Sequence, residues 1–255
     1  MNNRLKFTVI TVSFNNEKTL AQTIRSVLSQ SYPLIEYLVI DGGSTDSSKA
    51  ILEKYEGQIR WISEPDKGIY DAMNKGIKLA TGDFVGFLNA DDFYAHPQVL
   101  ENLAKVLTQN PIALAAYGDL AYVDEIETDK IIRYWKSGNY SRDSFHFGWM
   151  PPHPTFYLKR DCFAEFGGFR DKDLISAADY ELMLRMLYKN RIHTVYNPDL
   201  MVRMRVGGTS NRNLKNRVRA NKEDRKAWQM NDLSPGLLTF LLKPLRKIPQ
   251  FWQRP

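Results

Sequence analysis

Three carboxylate-bearing stretches follow one another in this chain, each where an apolar strand is expected to end, and this repetition restricts the fold more than any other feature. Leu38-Val39-Ile40 runs into Asp41-Gly42-Gly43-Ser44-Thr45-Asp46, and Phe84-Val85-Gly86-Phe87-Leu88 runs into Asn89-Ala90-Asp91-Asp92. Between them lies Glu64-Pro65-Asp66-Lys67-Gly68-Ile69-Tyr70-Asp71-Ala72-Met73-Asn74-Lys75-Gly76. In an open α/β sheet, ligands bind in the crevice outside the carboxyl ends of the strands. Acidic groups gathered there can hold a base, a ribose and a divalent metal.

The segments between these turns have the matching periodicity. Strands are expected at 5–14, 36–40, 59–63 and 83–88, and helices at 16–30, 46–56 and 70–80. Leu20, Ile24, Val27 and Leu28 share one helical face, as do Met73, Ile77 and Ala80, while Ser44 or Asp46 suits the cap of the 46–56 helix. This βαβαβαβ alternation predicts a doubly wound, mostly parallel sheet with right-handed crossovers. The second half is less regular. It suggests helices at 97–109, 160–166 and 176–189, strands at 112–123, 130–135 and 155–159, an aromatic-rich loop at 138–152, and extended chain at 193–206. A basic helix is expected from Asn213 to about Met230.

Composition narrows the setting. With 43% apolar residues, 255 residues can build a full core. The single cysteine, Cys162, rules out an internal disulfide framework and fits a reducing compartment. The short apolar run Phe7 to Phe14 reads as the first strand rather than a signal peptide. No run reaches the roughly 20 apolar residues that cross a bilayer. Charge is unevenly placed: Arg203 to Pro255 holds 13 Lys and Arg against 3 Asp and Glu, out of chain totals of 35 and 29. The rest is net acidic, so the tail calls for an anionic partner, a membrane surface or a nucleic acid.

Each motif alone has two readings. The turn Asp41 to Asp46 could hold a base imide or ribose hydroxyl, or could be an ordinary turn before a helix. Asn89 to Asp92 offers hard oxygen ligands for Mg²⁺ or Mn²⁺, or a polar turn capping a helix from Pro97. Lys67 could touch phosphate or sit in solvent. Asp179 could be a general base, although helix starts favour Asp for dipole reasons alone. His153, in Pro151-Pro152-His153-Pro154-Thr155, could meet an acceptor hydroxyl or a diphosphate, or serve the structure of a constrained loop.

Taken in order and spacing, the set resembles the family 2 inverting glycosyltransferases, which have a nucleotide-sugar-binding GT-A fold. The carrying residues are Thr11-Val12-Ser13-Phe14-Asn15, Asp41 to Asp46, Asp66 to Gly76, Asn89 to Asp92 and Ala178-Asp179-Tyr180. The resemblance covers residues 5–210 and is greatest to members that build bacterial exopolysaccharide, colanic-acid-like or O-antigen repeat units. It implies a Rossmann-like nucleotide-sugar-binding half at 1–95, an acceptor half at 96–210, and a basic, helical extension at 211–255.

By that resemblance Phe14 lies against the nucleotide base, Asp41 binds it and Asp66 helps hold the nucleoside. The nucleotide-sugar set also includes Thr11, Val12, Gly43, Ser44, Lys67, Gly68, Asn74, Asn89 and Ala90. Asp91, with Asp92, takes the metal, Mn²⁺ or Mg²⁺; Asp179 deprotonates the acceptor hydroxyl; His153 is on the acceptor side. The first Asp of the family's Asp-x-Asp is Asn89 here, a neutral ligand that Asp92 can compensate. The implied reaction is transfer of a sugar from a nucleoside-diphosphate sugar to a hydroxyl of a polyprenyl-diphosphate-linked saccharide, by metal-assisted single displacement with inversion. With its basic tail and Leu237-Leu238-Thr239-Phe240-Leu241-Leu242, the enzyme is expected on the cytoplasmic face of the inner membrane, with no nucleic-acid partner; the alternative for some of these leucines is packing on the catalytic domain. Three rivals are set against it. A nucleic-acid-binding protein draws on the tail alone. A nucleotidyltransferase lacks its Gly-rich basic loop, since Ser13-Phe14-Asn15-Asn16 stands there. A non-catalytic nucleotide-sugar binder draws on Asn89.

Overall fold

The computed structural model describes residues 4–207 and 214–254. Four strands form the parallel half of the sheet: β1 (Phe7–Ser13), β2 (Ile35–Asp41), β3 (Arg60–Ser63) and β4 (Phe84–Phe87) lie in the order β3-β2-β1-β4. β1 is buried along its whole length, as a strand covered by helices on both faces must be. On one face α1 (Leu20–Leu28) inserts Leu20, Ile24 and Val27, alongside Leu100, Leu103 and Leu107 of α4 (Val99–Gln109). On the other face α3 (Ile69–Leu79) packs Tyr70 and Met73. The short α2 (Ser48–Glu53) follows β2, and the Asp46 carboxylate accepts the Ser48 N–H at its start (2.9 Å).

The far half is mixed. Antiparallel β8 (Tyr157–Lys159) lies between β4 and β6 (Ala115–Val123). The long β9 (Thr194–Arg205) runs parallel to β6, and β7 (Ile131–Trp135) pairs antiparallel with the outer part of β6. The whole is one mixed sheet, parallel from β3 to β4 and mixed beyond. One strand departs from the sequence expectation. Asp92–Tyr94 is a short strand, β5, antiparallel to β9, where no strand was expected. Its pairing with β9 draws Asp92 into the interior.

The segment expected as one helix at 176–189 is α6 (Ala178–Met183) continued by a π-helical turn (Leu184–Lys189). It packs with α5 (Arg160–Phe166) and the 138–152 loop, which contains a 3₁₀ turn at Arg142–Phe147. The basic helix α7 (Leu214–Gln229) buries Ala227 and Trp228 in this same core. The leucine-rich segment forms α8 (Thr239–Leu245). No helix among the described residues is long and apolar enough to cross a membrane.

Candidate active site

The parallel register sets three strand ends level: Ser13 pairs with Asp41, and Asp41 with Ser63. The loops leaving them are laced together. The Asn15 side-chain oxygen accepts the Thr45 N–H (2.9 Å), the Asn15 N–H is donated to Ser44 Oγ (2.8 Å), and the Asn16 N–H to Ser48 Oγ (2.9 Å). Asn15 adopts a positive φ of 54° to do so, a conformation that Asn tolerates better than most residues. Beside it Phe14 is 61% exposed, an aromatic face open at the strand ends.

Asp41 is fully buried. Its carboxylate accepts the N–H groups of Gly43 (3.2 Å) and Ser44 (2.9 Å) and the hydroxyls of Ser44 and Ser63 (2.6 Å). These bonds shape the turn. Gly42 is required there by close approach: a Cβ would meet the Asp66 carboxylate at 2.3 Å. Gly43, at φ 83°, lies against Pro65. Asp66 in turn accepts the Gly68 N–H (2.8 Å), and the Lys67 N–H is donated to Asp71 (3.0 Å). The Asp41 and Asp66 motifs, far apart in sequence, thus make one wall.

Four residues of the expected nucleotide-sugar set have framework contacts. Thr11 pairs its hydroxyl with Tyr37 (3.0 Å) and Val12 sits in the core. The Ala90 carbonyl accepts the Thr23 hydroxyl (3.0 Å). Asn74 clamps the loop after α5, donating to the Phe169 carbonyl (2.9 Å) and Asp171 (3.1 Å) and accepting the Phe169 N–H (2.9 Å).

At the end of β4, Asn89 donates to Asp92 Oδ2 (3.1 Å), leaving Asn89 Oδ1 and Asp92 Oδ1 buried without partners. Burial, and then the charge of Asp91, raises the Asp92 pKa well above the usual carboxylate range; burial also raises that of Asp91. Buried oxygens without donors and carboxylates disfavoured as anions are what a divalent cation would relieve. Among the described residues no group of three or more His, Cys, Asp or Glu converges, so the protein offers only a few hard oxygen ligands. A divalent ion held here would have to take its remaining ligands from substrate phosphates or water. Arg205, at the end of β9, donates to the Asp91 carbonyl and to Gln22, and lies over the Phe93 ring (5.0 Å). It is a buried cation beside both carboxylates.

Across the sheet end, Asp179 stands in the first turn of α6. Tyr70 donates its hydroxyl to Asp179 Oδ1 (3.0 Å) and stacks on Phe169 at 5.4 Å. Burial, followed by the Asp179 charge, raises the Tyr70 pKa well above its ordinary value, so it remains a donor. His153 stacks on Phe87 at 5.6 Å with its Nε2 buried and unpartnered, and burial lowers its pKa. The loop before Asp179 is held from outside: Glu223 of α7 accepts the N–H groups of Ile175 (3.1 Å), Ser176 (2.6 Å) and Ala177 (3.0 Å).

The model of the family described as "Glycosyl transferase family 2" matches residues 8–172. The chain belongs to glycosyl transferase family 2. It is 37% identical over 183 residues to an uncharacterised glycosyltransferase of Mycobacterium tuberculosis, covering 69% of this chain and 67% of that one. A PGL/p-HBAD biosynthesis glycosyltransferase of Mycobacterium bovis is 27% identical over 194 residues, 74% of this chain and 73% of its own. Among solved structures, TarS 1–349 of S. aureus in complex with UDP superposes with a TM-score of 0.66 at 18% identity, over 90% of this chain and 67% of that one. The mannosyltransferase PcManGT of Pyrobaculum calidifontis, in complex with GDP-Man and Mn²⁺, gives 0.66 at 17% identity, over 96% and 70%. This chain therefore spans about two thirds or a little more of these relatives, is a glycosyltransferase, and shares the GT-A fold.

Tyr70, Arg205 and Glu223 are candidate site residues that the sequence reading did not single out. Tyr70 stands inside a quoted motif but at a core-like helical position. Arg205 had no periodic signal. Glu223 had one: it is one of only three acids in the basic tail.

Proposed function

We propose that this glycosyltransferase moves a sugar from a nucleoside-diphosphate sugar to an acceptor hydroxyl by a single displacement with inversion. The observation that carries the reading is Asp179, fixed through one oxygen by Tyr70 and left with a second oxygen for the acceptor proton. Phe14, the Asp41-Gly42-Gly43-Ser44 turn and Asp66 receive the nucleoside, with the Lys67-Gly68 backbone beside it. The acceptor enters past His153, whose imidazole stays neutral because burial disfavours its charge. As the hydroxyl attacks the anomeric carbon from the face opposite the nucleotide, Asp179 takes its proton and the sugar–phosphate bond breaks. A divalent ion held by Asp91, with Asn89 or Asp92, would supply charge neutralisation to the departing diphosphate. Arg205 beside these residues keeps their negative charge bounded when the ion is absent.

The donor class draws support from fold relatives solved with UDP, UDP-GlcNAc and GDP-Man. An acceptor carried on a lipid, in surface polysaccharide or glycolipid assembly, draws support from the mycobacterial PGL/p-HBAD relative and from the apolar face of the tail.

The test is a thermal-shift panel of nucleoside diphosphates and nucleotide-sugars with and without Mn²⁺ or Mg²⁺. A ligand at 100 times its Kd stabilises the folded state by about 2.7 kcal/mol. A metal-dependent rise with one nucleotide, lost in Asp91→Asn, is expected; no rise with any of them refutes the donor reading. A covalent sugar adduct trapped on the protein would refute single displacement.

A further inference from the structure

The C-terminal half of the basic helix α7 packs one side against the protein. Trp228 donates to the Tyr180 hydroxyl (2.8 Å), Lys226 to the Asp173 carbonyl (2.8 Å), and Arg225 covers the Phe240 ring at 5.0 Å. Its packed side therefore cannot be the face laid on a bilayer. The segment after it has the opposite arrangement to an ordinary surface helix, which turns its apolar face inward. Polar groups fasten it to the core. Thr239 donates to the His146 carbonyl (2.8 Å), and Lys243 pairs with the buried Asp224 (2.6 Å) and lies over the Tyr180 ring (4.2 Å). Phe240 turns in against the core, but most of its other large apolar residues are exposed, among them Leu237 (99%), Leu241, Leu245, Ile248 and Trp252 (75%). The polar anchors hold this stripe outward.

We propose that this stripe is a monotopic membrane face that inserts into an anionic leaflet. Ser234 to Pro255 contains no acid, and besides Lys243, which is paired inward with Asp224, it carries Arg246, Lys247 and Arg254. Leucines and an exposed tryptophan among cations are the composition of segments that lie in the interface and bind anionic lipid. The same charge argues against a second copy as the occupant, since a two-fold contact would bring two such cationic faces together. Lys243 touches Tyr180, the neighbour of Asp179, so the face is mounted on the packed unit that carries the base. A lipid-borne acceptor would then meet Asp179 from the bilayer side. In that consequence the inference rests on the glycosyltransferase reading; attachment itself does not require turnover.

The test is flotation of the full chain with phosphatidylcholine vesicles, with and without phosphatidylglycerol, at low salt. The protein is expected to float with the anionic vesicles. Leu241→Glu with Trp252→Glu should abolish flotation while leaving the melting temperature and the nucleotide-induced shift unchanged. Arg246→Gln with Lys247→Gln should weaken binding about fivefold per charge. A wild-type protein that stays out of anionic vesicles overturns the proposal. So does a concentration-dependent dimer that the Glu pair dissolves, which would give the stripe to a second copy. Nucleotide binding without flotation sinks this face alone; flotation without nucleotide binding sinks the donor reading and leaves this one standing.

Discussion

Replacing Glu223 by Ala tests whether the tail positions Asp179, the proposed base. One carboxylate oxygen accepts three successive N–H groups, from Ile175, Ser176 and Ala177, immediately before Asp179. Hydrogen bonds to a charged group contribute about 1.5–3 kcal/mol each when no substitute exists. Ile175 is exposed and Ser176 half-exposed, so water can replace the carboxylate there. Ala177 is buried, and its orphaned N–H dominates the loss. The expected destabilisation is about 2 kcal/mol, which for a domain of this size lowers Tm by roughly 4–8 °C. Activity should fall further than stability, because a shift of about 1 Å in a reacting group costs on the order of 100-fold. At a temperature where the variant is folded, kcat should drop at least about tenfold with the donor KM unchanged. Glu223→Gln keeps an acceptor oxygen without the charge and should recover part of both losses. Steady-state kinetics on the full chain, beside a melting curve, decide the matter. A kcat equal to wild type, or one lost only in proportion to unfolded protein, would refute the reasoning.

Two further outcomes follow from the base side. Tyr70→Phe removes the donor to Asp179 Oδ1 but keeps the ring on Phe169, so kcat should fall by about tenfold with little change in Tm; an unchanged kcat would show that Asp179 needs no such support. His153 has a folded pKa below its unfolded value of about 6.5, so the unfolded chain binds the extra proton. Its contribution to stability is complete above about pH 6.5 and declines as pH falls towards the folded pKa. His153→Gln should flatten that acid-side decline in a series of melting curves, and an unchanged slope would assign the decline to other groups.

The donor half was legible because its signals are local. Alternating apolar strands and helices, with acids at the strand ends, place β1 to β4 and their helices within a few residues of their observed bounds. β5 was not legible: a three-residue strand beginning at Asp92 exists only because β9, more than a hundred residues later, pairs with it. The same limit applies to side-chain work. Asp41, Asp66, Asp91 and Asp179 stand out as motif residues. The Ser63 hydroxyl that completes the donors around Asp41 and the clamp made by Asn74 depend on chain that folds back from elsewhere. The tail shows the limit of composition. Its excess of cations is spread along its whole length, whereas the structure divides it: α7 turns Ala227 and Trp228 into the core, and the exposed apolar residues lie beyond it.

The grip of α7 on the base loop bears on how acceptor preference can be exchanged between relatives. A chimera joined at residue 210 would keep Asp179 from one parent and take Glu223, Trp228 and Asn231 from the other. Those three meet the backbone at 175–177, the Tyr180 hydroxyl and the Glu181 carboxylate. Such a junction cuts through a lock and its key. The transferable cassette runs instead from about residue 170 past α7 to Asn231, so that recombination should succeed with both sides of that contact inherited together.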